Sequence, residues 1–193
     1  MKNLNRLLVI IFAFALSACA TTEAPKAELK VPGFVLTGSS VYIYSFLDAR
    51  ERTFGPKLIK QFDVRFTAAL KTAAVSSTLL HFRDSEHGGY FAPVSGAMAN
   101  PVRQTVDLNA AVERKAGAQH RLTIEPISVT SSGSWQLYDI RWTLSDASTS
   151  ALIWTTTSTG KHMSWWTADE SADERAQSIV DEIIRQMKTS KLI

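Results

Sequence analysis

The chain has 193 residues, with 21 Lys and Arg against 18 Asp and Glu, a formal net charge of +3 and a single cysteine. With no Lys/Arg cluster, that balance gives no footing for a nucleic-acid partner. One cysteine cannot close an intramolecular disulfide, so a body of this size depends on one ordinary hydrophobic core.

In chain order, the first element is a targeting segment. Lys2 and Arg6 precede an apolar run of ten residues, Leu7 to Leu16. A helix crossing a bilayer needs about 20 apolar residues, so the run fits the apolar region of a secretory signal. The next residues complete Leu16-Ser17-Ala18-Cys19, which resembles a bacterial lipobox at all four positions. That resemblance implies removal of residues 1 to 18, acylation of the Cys19 sulfur, and a further acyl chain on its new α-amine. A single chain holds a protein marginally, and two or more hold it stably. In lipoproteins of this kind an aspartate after the cysteine signals retention at the inner membrane. Ala20 in that place points to the periplasmic face of the outer membrane. Without Lys2 and Arg6, 19 basic side chains face 18 acidic ones, a net charge of +1.

Ala20 to Gly33, "ATTEAPKAELKVPG", carries few residues that could pack and reads as a flexible spacer. Fully extended, about 15 residues at ~3.4 Å each span on the order of 50 Å. The expected division is a signal over 1–18, a lipidated cysteine and tether over 19–37, and one domain over 38–193.

Within the domain, "VYIYSFL" (Val41–Leu47) is apolar on both faces, as a central strand covered on both sides should be. Pro56 to Ala74 repeats apolar residues at helical spacing, with Pro56 suited to the first turn. Ser76–Arg83 reads as a strand. Asp107–Gly117 reads as a short helix with Asp107 as N-cap and Gly117 as stop. A three-strand meander follows. Its members are His120–Val129, Trp135–Ser145 and the run "ALIWTTTSTGK", where Leu152 and Trp154 are expected on the same core face. In Trp135–Ser145, Tyr138, Ile140, Trp142 and Leu144 alternate with Asp139, Arg141, Thr143 and Ser145, so one face of this part meets water. Ser171 to Lys188 is an amphipathic helix opened by the capping box Ser171–Glu174.

The order predicts a single α/β (α+β) layer domain, a mostly antiparallel sheet packed by two long helices and one short one. Together with the lipobox, "VYIYSFLDARERTFGPKLIKQFDVRFTAAL" and "IRWTLSDASTSALIW" resemble the penicillin-binding-protein activator lipoproteins and the curli-secretion lipoprotein. Members of that class generally bind other envelope proteins and do not catalyse. The resemblance therefore implies a lipid-anchored adaptor with an envelope protein partner. The alternative is an auxiliary lipoprotein of a lipid or glycan transport complex, which would need an apolar groove. "SADERAQSIVDEI" resembles the helix of OmpA-type peptidoglycan-binding domains, with Arg175 as the ligand arginine. The companion strand motif is missing, and an ordinary amphipathic helix is the preferred reading.

Catalytic signatures are not found: there is no Gly-x-Ser-x-Gly elbow and no phosphate loop. His81, Asp84, Glu86 and His87 are chemically able to bind a metal, but their spacing fits no known cage. No enzyme activity, metal or cofactor is expected beyond the acyl chains on Cys19. His120 and His162 are expected at the surface, His162 in a Gly-Lys-His turn. The candidate partner-binding residues are Tyr90, Phe91 and Met98, in the aperiodic stretch Asp84–Gln104, and Trp165 and Trp166. Long loops are often functional, aromatic and Met side chains suit protein interfaces, and two adjacent residues of an extended segment cannot both face the core.

Overall fold

A computed structural model describes residues 27–47, 54–81, 101–163 and 171–193. Its elements, in order, are β1 (Glu28–Leu29), β2 (Ser40–Ser45), α1 (Pro56–Thr72), β3 (Ser76–His81), α2 (Pro101–Lys115), β4 (His120–Ser132), β5 (Trp135–Asp146), β6 (Leu152–Met163) and α3 (Ala172–Thr189). The six strands form one sheet in the order β1-β6-β5-β4-β2-β3. β1–β6, β6–β5 and β5–β4 are antiparallel; β2 runs parallel to both β4 and β3. The domain is the expected α+β layer, with β2 in the central position its two-sided apolarity demands: Val41 through Leu47 are all buried.

α1 and α3 lie on one face, here called inner. α1 turns Leu58, Ile59, Phe62, Phe66 and Leu70 into the core. α3 adds Ala176, Ile179, Val180, Ile183 and Met187, and its capping box is present on both sides, Ser171 with the Glu174 backbone and Glu174 with the Ser171 backbone. Against them stand Leu122 and Ile124 of β4, Ile140, Trp142 and Leu144 of β5, and Trp154 of β6. Trp142 is fully buried, its indole N–H donating to Ser158 Oγ at 2.8 Å, with the Phe66 ring 5.8 Å away.

Four expectations change. Residues 27–37, assigned to the tether, lie partly on the domain: β1 pairs with β6, and Leu36 is buried with its N–H on the Leu192 carbonyl. The short helix, α2, begins at Pro101, so Pro101–Gln104 is helical and Asp107 lies inside the helix instead of capping it. Proline suits that opening because its missing N–H costs nothing there. Leu152 is exposed while Ile153 and Trp154 are buried. The cause is a register shift that sets Leu144 opposite Trp154 but Ser145 opposite Leu152. His162 is buried within β6, because that strand runs on to Met163 where a turn was expected.

Candidate interaction surface

The residues singled out from sequence, Cys19, Tyr90, Phe91, Met98, Trp165 and Trp166, fall outside the described residues, as do Asp84, Glu86 and His87. His81 ends β3 and pairs with Asp63 of α1. Among the described residues, no three His, Cys, Asp or Glu side chains come together as a metal cage. His120 is partly buried edge-on to Phe34, and desolvation lowers its pKa against the pull of Asp146. His162 lies under α3, its Nε2 3.1 Å from Arg175 Nη1. Arg175, the residue of the peptidoglycan resemblance, thus reaches back to the sheet.

The other face of the sheet divides in two. Over β2 it is covered by α2. Tyr42, Tyr44 and Phe46 pack with Val106 there. Glu113 of α2 is buried, accepting the Tyr44 hydroxyl at 3.2 Å and Arg121 Nη2 at 2.8 Å. Arg121 also donates to Ser150 Oγ at 3.3 Å, tying the helix to the β5–β6 turn. Burial and the adjacent Glu113 carboxylate push both tyrosine hydroxyls above their ordinary pKa.

Over the long strands the outer face carries no helix among the described residues. Opposed residues of antiparallel strands share a face, so Glu125, Arg141 and Thr157 form one row, and Asp139 and Thr159 another. Arg141 sits 3.8 Å from Glu125, and Thr159 donates to Asp139 at 2.9 Å. Burial raises the Glu125 pKa, opposed by Arg141. Toward the β4–β5 hairpin end the chemistry changes. Leu137 lies opposite Lys161, and Trp135 opposite Met163. Trp135 and Leu137 are 39% and 37% exposed, and Lys161 Nζ stands 5.1 Å from the Trp135 ring centre.

Sequence reasoning passed over this group. The signal was present: Trp135 and Leu137 have the parity of Asp139 and Arg141, the solvent face, so two large apolar residues stand where the pattern calls for polar ones.

A further opening lies at the far edge. β3 is bonded to β2 and, among the described residues, to no strand beyond it. On the helical side, a depression between α1 and α3 is lined by Arg65, Asp173, Gln177, Asp181 and Arg185 among others. Arg65 bridges Asp173 and Gln177 across it. Its charged lining does not suit an acyl chain. No described helix is long and apolar enough to cross a membrane.

Taken together, the described residues define an α+β domain with two helices on one face and a partly bare sheet on the other. No family model and no curated protein matches the chain by sequence. Among solved structures it is similar to a point variant of the PelC dodecamer from Paraburkholderia phytofirmans, at 14% identity and a TM-score of 0.50 over 84% of this chain and 96% of that one. It is also similar to lipoprotein GNA1162 from Neisseria meningitidis, at 12% identity and a TM-score of 0.44 over 78% and 99% of the two chains. With the LpoB C-terminal domain from Salmonella enterica the values are 15% and 0.35 over 67% and 87%. The likeness to PelC is one of fold.

Proposed function

We propose that the protein is a non-catalytic adaptor lipoprotein, acylated at Cys19, held at the periplasmic face of the outer membrane, and working without metal or cofactor. The observation that carries the adaptor reading is the edge of the sheet at β3, which among the described residues has no strand beyond it. Its backbone donors and acceptors face outward, and an extended segment of a partner can add to such an edge as a further strand. The lipobox and Ala20 support the anchor and its location. The fold it shares with PelC, described as a dodecamer, is compatible with assembly into larger complexes. A transport accessory is less well supported, because the α1–α3 depression is lined with charge.

The test places a photocrosslinking residue at Thr78, exposed on β3, or at Val64, exposed on α1, in the intact lipoprotein in cells. One protein captured from position 78 and not from 64 supports the adaptor. Lipid alone, or equal capture from both positions, sinks it. Loss of membrane attachment and of acyl mass in Cys19→Ser tests the anchor separately.

A further inference from the structure

We infer that the end of the sheet at the β4–β5 hairpin, where β5 begins and β6 ends, rests on the lipid surface to which Cys19 is attached. The inference depends on the lipidation proposed above and adds an orientation to it. β1 is antiparallel to β6, with Glu28 opposite Thr155 and Leu29 opposite Trp154. The Lys30 N–H on the Ile153 carbonyl at 2.7 Å secures that direction. Traced backward, the step from Leu29 to Glu28 runs along β6 in the direction of Met163. That is the end at which Trp135, Leu137, Lys161 and Met163 share the outer face.

Chain length then sets the height. Nine Cα steps lead from Cys19 to Glu28, so whatever path they take they reach at most about 31 Å. β6 itself advances roughly 26 Å from Thr155 to Met163 at ~3.3 Å per residue. Along this direction the acylated residue can lie only about 5 Å past the end of the sheet. Any slack in the connection draws that end into the headgroups.

The side chains there suit such a surface. Trp135 offers an amphipathic ring of the kind that settles at a membrane–water boundary, and Leu137 and Met163 add apolar area. Lys161, beside the indole, supplies a cation for anionic headgroups. Their neighbours on β4, Thr130 opposite Leu137 and Ser132 opposite Trp135, carry no charge. Asp139, the nearest acid along β5, is set back from the end and accepts from Thr159.

The experiment uses the intact lipoprotein carrying Leu137→Cys or, as control, Val64→Cys. Because Cys19 is acylated, the introduced thiol is the only free one. Each is labelled with an environment-sensitive fluorophore and reconstituted into phosphatidylethanolamine–phosphatidylglycerol vesicles whose acyl chains carry bromine. The expected result is quenching several-fold stronger at 137 than at 64, weakened by Lys161→Glu. Thr130→Cys, on the same face, reports the same contact if the first variant melts early. Equal or absent quenching at 137 and 64 in protein that floats with the vesicles overturns the inference and leaves the anchor standing. Failure to float overturns the anchor, and with it the orientation. Crosslinking of residue 137 to a protein in cells, with no quenching, also overturns it.

Discussion

β5 sends alternate side chains to two faces that differ in what holds them. On the inner side, Ile140, Trp142 and Leu144 are fully buried, and the polar groups opposite are small and satisfied: Ser158 takes the Trp142 N–H, and Thr156 bonds Gln186 of α3. On the outer side, Asp139, Arg141 and Thr143 stand at or near solvent, and the Arg141–Glu125 contact is long. The pairing of the two strands is common to both faces. What differs is the cover, and therefore the energetic weight of each side chain.

Substitutions graded by face put that difference at risk. Trp142→Ala empties the centre of the core and is expected to cost about 3–5 kcal/mol, read as a lower midpoint in chemical unfolding. An outer-face substitution with a similar cost would erase the contrast, and one is expected where α2 provides cover. Glu113→Ala strands the Arg121 guanidinium in a buried site, a loss of about 3–5 kcal/mol. If calorimetry shows it to be neutral, α2 does not seal the outer face over β2. Gly160→Ala is the next step down. A Cβ there would lie 2.2 Å from Cζ of the Tyr138 ring, which covers that glycine from the opposite strand. The expected cost is about 1–3 kcal/mol, largely relieved in a Tyr138→Ala background, so a double-mutant cycle without coupling would contradict the stacking. Smallest is Leu137→Ser, expected within about 0.5 kcal/mol of the parent by thermal melting. A large loss would mean that the hairpin end is core and not surface.

Much of this architecture could be read from residue patterns. α1, α3, β2 and the inner parity of β5 each repeat at their own period, and the capping box marks the start of α3. β6 was harder. Its inner positions Thr156, Ser158 and Gly160 are small because Gln186 and the Tyr138 ring occupy the space, so the strand loses the apolar alternation that would have shown it continuing to His162. β1 was invisible, since two residues carry no period and only pairing with β6 makes them a strand. The parallel contacts of β2 depend on residues far apart in sequence and leave no local mark. Of the surface, the named aromatic and Met candidates fall outside the described residues. The Trp135–Leu137 pair was legible as a break in parity, and it was passed over because Tyr138, Ile140, Trp142 and Leu144 dominated the pattern.

The route of the chain from β1 to β2 has a mechanical consequence. Lys30 bonds Ile153, Leu36 bonds Leu192, Gly38 bonds Ala74, and Ser40 bonds Gln119. A pull on this segment from its N-terminal side, along the strand axis, first meets the edge of β6, where β1 lies antiparallel and must slide rather than peel. What force remains passes to the C-terminal residues, then to the exit of α1, and only then to the strand at the centre of the sheet. The N-terminal stretch is thus stitched across the domain, and a pull on it is shared out before it reaches the core.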